Sequence, residues 1–578
     1  MKPTMAMMLI VILVLASAPS PAASTNKVNI DIQHYDLSLQ IHPKTNQFDV
    51  QANIRIKALD DDVGTITFLL NERMEIANVK DGDGNTLSYR RDEDQVIIEL
   101  TEPLEKDETK QIIVEYVGVS NPEEKFGRHG FWGYIGEEGS YMIYESAWYP
   151  MIWGDRYTTT ISITVPKGQT AISVGQLIGE TDLGQYQEYI WETSLPTRGI
   201  SFAAGEYNAK TTLFKHMRVE CYTYMEDPSL ANKCMKTTTD MLGFYSSKFG
   251  DYPYAKFATV EIPGFFSGGH GDQSFVMLDS NIFMSFLPSE FLAHEVAHNW
   301  WGALVFVEGE NSLRSVKGYW NFPKTLTDGL SVERYNLWLL EGFATYSSVL
   351  YIEEFKGREE MRSSMEDKRL EYIGKIRETE DEPISSVEEE YREGKYHAVV
   401  YSKGAWVLHM LRYVVGDEAF FTIMRNYAQR FRGKSANIND FQEIAEEVYG
   451  QDMDWFFDQW IEDVMLPDYA LQSAEVNYAD GKYSVKANVV QKGDLGKMPV
   501  DIVLYTKGGE IKKRVWIEAE RKTVSFTADS EPTYLEIDAD HWILESNKSN
   551  NVYFLSSSSF WRKLRHIIWR LRQLLPII

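Results

Sequence analysis

The sequence predicts a multidomain α+β protein. Three observations carry this. The 578 residues are too many for one core. Apolar residues alternate with period two near both ends of the chain. They recur at helical intervals between about 206 and 465. With 44% apolar and 25% charged residues the composition is that of a folded protein. The net charge of −27 argues against a nucleic-acid partner, because phosphate repels it.

Residues 1–24 read as a secretory signal. Lys2 supplies the positive start, Met5 to Ala16 the apolar stretch, and small residues follow through Ser24. An uncleaved anchor is the alternative. In either case the body is expected outside the cytoplasm. Residues 25–205 read as an N-terminal β domain, on stretches such as Tyr35-Asp36-Leu37-Ser38-Leu39-Gln40-Ile41 and Val50-Gln51-Ala52-Asn53-Ile54. Turn residues at Asp81-Gly82-Asp83-Gly84-Asn85 separate strands.

Residues 206–465 read as helical, over Ala231 to Phe249, Pro288 to Gly302, Leu337 to Phe355, Tyr401 to Val415 and Phe441 to Val448. Alternation returns over 466–546, as in Tyr483-Ser484-Val485-Lys486-Ala487, and predicts a small β-sandwich. Residues 547–578 form a linker and a basic helix. Over 560–575 it carries five cations, with Trp561, Leu564, Ile568, Leu571 and Leu575 on one face. Such a helix suits peripheral contact with a membrane interface, and equally a basic strip docked on the acidic body. The acidic stretch around Glu388-Glu389-Glu390 reads as a solvated loop. Cys221 and Cys234 are the only cysteines; sequence leaves open whether they pair.

His294-Glu295-Val296-Ala297-His298 is the segment that carries chemistry. On a helix, residues four apart share a face, so both imidazoles can reach one Zn²⁺. Glu295 points about 100° away from His294 around the helix, which suits a general base rather than a ligand. Two core histidines would carry the same pattern, so a third ligand is needed. Glu341, in Leu337-Trp338-Leu339-Leu340-Glu341-Gly342-Phe343-Ala344, completes a His₂Glu set and leaves an open position.

These segments resemble those of the aminopeptidase N family of gluzincin zinc metallopeptidases. Leu337–Ala344 is similar to the family's L-W-L-N-E-G-F-A, and His298-Asn299-Trp300-Trp301-Gly302 to its H-Q-W-x-G. Tyr401-Ser402-Lys403-Gly404 is similar to the Y-x-K-G that holds its transition-state tyrosine. Tyr35-Asp36-Leu37, Trp148-Tyr149-Pro150 and Ser201–Glu206 fit its N-terminal domain, while Ile438–Phe441 and Trp455–Trp460 fit the end of its catalytic domain.

The resemblance implies a saddle-shaped N-terminal β-sandwich, a thermolysin-like catalytic domain, one Zn²⁺ per chain on His294, His298 and Glu341, Glu295 as base and Tyr401 as oxyanion donor. It implies peptide or protein substrates and an aminopeptidase-like peptidase.

Two departures mark a divergent member. Forty-two residues lie between His298 and Glu341, so an insert of roughly 308–335 separates two ligands. Loops tolerate such insertion. Glu308, Glu310 and Glu333 are rival ligands. The family's G-A-M-E-N motif is altered to Gly268-Gly269-His270-Gly271-Asp272, so Gly271 stands where the amine-binding Glu belongs. Asp272 shifting inward, or Glu145, are candidates to replace it. His270 is a candidate substrate contact, although a turn role would equally account for it. Gln273 to Leu278 is expected as an edge strand for an extended peptide. His397 reads as a helix-surface histidine.

Three readings follow. The first is an exported aminopeptidase-like enzyme peripheral to the outer face of a membrane. The second is an endopeptidase or a peptidase of unusual N-terminal specificity. The third is a non-catalytic peptide-binding envelope protein with a relic site.

Overall fold

A computed structural model describes residues 29–120, 133–264, 268–283, 289–308, 337–387 and 394–555. The signal segment, Glu310, Glu333 and nearly all of the insert, Glu388–Glu390 and the basic helix at 560–575 lie outside the described residues.

The first region runs from Ile30 to Gly205 and is built of strands. A seven-stranded sheet has Ile30–His42 near its middle, antiparallel to Gln47–Ala58 and parallel to Thr158–Pro166. Leu37, Leu39 and Ile41 are buried while Asp36 and Ser38 face outward, the alternation expected of a half-buried strand. Sheets of three and four strands complete this region.

The catalytic region opens with a five-stranded sheet that the helical reading of 206–465 did not include. Its order is Asn208–Phe214, Met217–Thr223, Lys256–Ile262, Phe275–Asp279, Gly269–Asp272. The reason it was missed is burial on both faces. Every residue of Lys256–Ile262 is buried. Ala258, Val260, Ile262, Phe275 and Met277 pack into the core of the N-terminal domain, whereas Phe257, Val276 and Leu278 pack into the core under the helices. A strand covered on both sides reads as a continuous apolar run rather than as alternation. Cys221, on the second strand, is disulfide-bonded to Cys234 on the helix Pro228–Phe249.

The helices follow. The histidine helix spans Glu290–Ala297, and the glutamate helix spans Glu341–Lys356 after a 3₁₀ turn at Leu337–Leu339. Two helices absent from the sequence reading, Arg358–Ile376 and Asp417–Arg430, complete the bundle. The first is highly charged and buries few apolar side chains, which hides its period. Between them lies a π-helical segment at His397–Lys403, running into the helix Gly404–Val415, and Ile438–Tyr449 follows the second.

Two facing sheets, of three and four strands, form the last region. It extends past 546, because Val552–Phe554 pairs with Pro532–Ile537. No described helix is long and apolar enough to cross a membrane.

Candidate metal centre and active-site cavity

Ser289 caps the histidine helix by accepting a hydrogen bond from Leu292 N at 3.2 Å, so the helix begins at Glu290. Tyr245 Oη donates to Ala293 O at 2.8 Å and fixes it against the helix Pro228–Phe249. His294 and His298 then lie one turn apart, with their Nε2 atoms 3.1 Å apart.

Glu341 is the first residue of the glutamate helix, where the positive end of the helix dipole favours a carboxylate. Its Oε2 lies 3.3 Å from His294 Nε2 and 3.5 Å from His298 Nε2. Burial would push the Glu341 carboxyl up, but the two imidazoles hold it well below the usual range.

This triangle can be tested against a zinc ion. Tetrahedral ligands each about 2.05 Å from Zn²⁺ stand about 3.3 Å from one another. The three observed edges, 3.1, 3.3 and 3.5 Å, meet that spacing before any rearrangement. The outer nitrogens are tethered as metal-bound histidines require. His298 Nδ1 is 3.1 Å from Trp301 O, and His294 Nδ1 is 3.4 Å from Thr345 Oγ1. Among the rival ligands only Glu308 is described, and it accepts a hydrogen bond from Asn437 Nδ2, away from the centre.

Two glycines bring the tyrosine to the metal ligands. Gly342 follows Glu341, and Gly404 lies three residues after Tyr401. A Cβ on Gly342 would stand 3.0 Å from Val400 O and 3.3 Å from Gly404 Cα. The two helix starts therefore cross backbone to backbone, which only glycine allows without displacement. The wider π-helical turn of His397–Lys403 carries Tyr401 there, as such turns do at functional sites. Its ring lies parallel to that of His294, 11° apart in plane and 5.8 Å between centroids.

His294, Glu295, His298, Glu341, Thr345 and Tyr401 line one cavity of about 480 Å³. Its opposite wall contains Glu145, Gly269, His270 and Gly271. Of the altered motif, Gly268 and Asp272 are not on that wall. Asp272 is not among the lining residues; its side chain is 1% exposed and stands behind His270, 3.8 Å from His270 Nε2. The edge of the sheet is Gly269–Asp272 itself. The strand Phe275–Asp279, expected as the edge, is enclosed between it and Lys256–Ile262. The short glycine-rich stretch gave no alternation from which its strand could be read.

Gly271 packs directly against the histidine helix. A Cβ there would lie 2.8 Å from Glu295 O and 2.9 Å from Glu295 Oε2. The charged group on this wall is instead Glu145, from a 3₁₀ turn of the N-terminal domain. Burial pushes the Glu145 carboxyl up, against the pull of His270 and Arg198. His270 Nε2 stands 3.9 Å from Glu145 Oε2 and 3.8 Å from Asp272 Oδ2. Burial would lower the His270 pKa, but the two carboxylates outweigh it and raise it. Arg198, over the Tyr144 ring at 5.5 Å, also lines the cavity, as do His397 and Glu371. No motif marked these three as site residues.

A helical domain with two imidazoles and a carboxylate in this triangle, and a further carboxylate one helix position away, is built in the manner of a zinc metallopeptidase. Comparison with known proteins agrees. Residues 332–460 match the Peptidase family M1 domain. That match holds Glu341 and Tyr401 and begins where the insert ends.

Among curated proteins, the chain is 21% identical to mitochondrial Aminopeptidase 2 of Saccharomyces cerevisiae, over 93% of this chain and 56% of that one. It is 22% identical to Probable aminopeptidase 1 of Sulfurisphaera tokodaii, over 75% and 53%. The chain thus spans little more than half the length of these relatives, and 36% of Aminopeptidase 2 of Candida albicans.

Two solved structures share the fold. An M1 zinc metallopeptidase from Deinococcus radiodurans has a TM-score of 0.61 at 18% identity, covering 76% of this chain and 96% of its own. Legionella pneumophila aminopeptidase A has a TM-score of 0.70 at 17% identity, covering 90% and 60%.

Proposed function

We propose that the chain is a zinc-dependent peptidase of aminopeptidase-like action that works outside the cytoplasm. The triangle of His294, His298 and Glu341 carries this reading. A zinc ion there would supply a Lewis acid that polarises a scissile carbonyl and lowers the pKa of a water. Glu295 sits beside the triangle, where it takes the proton of the attacking water and passes it to the leaving amine. The Tyr401 phenol donates a hydrogen bond to the carbonyl oxygen as charge develops on it. An extended peptide would add to the edge strand Gly269–Asp272, with its N-terminus toward Glu145, which lines the same cavity.

Gly271 favours a second reading, that of a peptidase with altered N-terminal demand. Glu145 is the carboxylate left on that wall, and the family's second one is missing. The apolar N-terminal stretch and the Cys221–Cys234 disulfide support export. The basic face at 560–575 supports peripheral contact with an anionic membrane surface.

One peptide offered with a free and with an acetylated N-terminus tests the main reading. Cleavage of the free form alone is the expected result. Equal cleavage of both would replace the exopeptidase with an endopeptidase. Glu295→Gln should keep zinc and lose turnover; a protein that binds peptide with zinc but never cuts it would leave the non-catalytic reading.

A further inference from the structure

Three rings stand in a column on the helical wall of the cavity. The inner one is His294, a metal ligand. Tyr401 lies parallel to it, and His397 stacks on Tyr401 at 4.4 Å between centroids and 18° between planes. His397 and Tyr401 are four residues apart in the π-helical segment, which places both on one side.

The outer ring does not rest there unaided. His397 Nδ1 lies 2.6 Å from Glu371 Oε1, on the neighbouring helix Arg358–Ile376. The other oxygen, Glu371 Oε2, accepts a hydrogen bond from Ser402 Oγ at 2.6 Å. One carboxylate thus grips the chain on both sides of Tyr401. Burial would raise the Glu371 pKa, yet these hydrogen bonds outweigh it and hold the carboxyl below its ordinary value.

We propose that His397, held by Glu371, is a positioning residue for Tyr401: it fixes the phenol ring in the orientation from which its hydroxyl meets the developing oxyanion. The proposal rests on the reading of Tyr401 as oxyanion donor. A donor acts at full strength only when held within roughly 10–20° of its productive direction. Removing the His397 ring takes away the closest of the three ring contacts of Tyr401, the others being His294 at 5.8 Å and the edge of Tyr396 at 6.2 Å. The His397 and Glu371 side chains are 56% and 43% exposed, so their replacement opens no hole in the core. A contact that matters only in the transition state lowers kcat and leaves KM unchanged.

The test uses the full mature chain loaded with zinc. His397→Ala, His397→Phe and Glu371→Gln are each made in the parent and in the Tyr401→Phe background. His397→Ala should lower kcat about 3- to 10-fold, the size of a ring-stacking contact, with KM and zinc content unchanged. His397→Phe should restore most of the loss, because it supplies a ring without a titratable group. In the Tyr401→Phe background His397→Ala should cost nothing further.

Parent-level kcat in His397→Ala would overturn the proposal. So would an additive loss in the double variant, which would mean that His397 acts on substrate directly. Tyr401→Phe with full activity would sink the underlying reading instead, and is seen separately. A crystal structure of metal-free His397→Ala gives a readout independent of turnover. The Tyr401 ring should leave its parent orientation, and a ring found unmoved would overturn the proposal even if the protein cut no peptide.

Discussion

On the helical wall of the cavity, both histidines assigned to metal binding and the tyrosine assigned to oxyanion stabilisation are held by a second group. His298 is tethered to Trp301 O, His294 to Thr345, and Tyr401 lies between two imidazoles. On the strand wall the polar atoms have no such tethers. Glu145 Oε2 and His270 Nε2 are buried and, among the described residues, have no hydrogen-bond partner within ordinary distance. Unsatisfied buried atoms are costly in a finished core. The difference follows from what each wall does. Groups that stabilise a transition state gain from being fixed beforehand. A binding wall keeps open valences that a substrate can fill. The helical wall should therefore respond to mutation in kcat and metal content, and the strand wall in KM.

The largest break is expected at Glu341. Glu341→Ala removes one corner of the triangle and leaves two histidines on one helix, too few for a zinc site. Zinc content, measured by atomic emission, should fall to a small fraction of one equivalent, and peptide hydrolysis should vanish with it. Full zinc occupancy would show that another group is the third ligand and would remove the comparison's first member. Tyr401→Phe comes next. It keeps the ring column but deletes the hydroxyl, so turnover should drop by about 10²–10³-fold, the usual cost of a lost oxyanion donor. Zinc content and KM should stay put. A change in KM instead would move Tyr401 from the first wall to the second.

The helical wall was readable in the sequence because its geometry is local. Two histidines four apart on a helix define a shared face without any tertiary information. Glu341 and Tyr401 were readable through the segments around them, and the Gly342–Gly404 crossing gives the physical reason both segments contain a glycine. The strand wall was not readable in the same way. Its inner strands Lys256–Ile262 and Phe275–Asp279 are buried throughout, so no alternation marked them, and its edge strand is four residues long. Placing the edge at Gln273–Leu278 put it one strand too far in. His397 and Glu371 were hidden for a different reason. They come from different helices, and no spacing in the sequence reports a stack that a π-helical turn creates.

Gly271 is where the two walls touch, so its replacement tests whether they are separable. An added methyl would meet Glu295 O and Oε2 at less than 3 Å, and backbone cannot move aside freely. Gly271→Ala should displace the base and lower kcat by up to about 10²-fold, the cost of roughly 1 Å of misplacement. Zinc should remain, because His294 and His298 face away from that contact. An active Gly271→Ala variant would mean that the strand yields, and a glutamate could then be restored at this position.

The smallest effect, and the one that sharpens the comparison most, belongs to Glu145→Gln. The substitution keeps the shape of the side chain and removes the charge that faces the cavity. If Glu145 receives the α-ammonium group of a peptide, KM for free-amine substrates should rise about tenfold, the lower range for a hydrogen bond to a charged group. The kcat and the zinc content should hold, since no group on the helical wall is altered. An acetylated peptide, which has no ammonium to offer, should be cut or refused equally by parent and variant. His270 adds an internal control, because it stands within ion-pair distance of both Glu145 and Asp272. With Glu145 neutral, His270 loses one of the two charges that raise its pKa. Any pH dependence of KM that His270 imposes should then shift to lower pH. A KM unchanged at every pH would mean that the open atoms of this wall do not receive the substrate's amine.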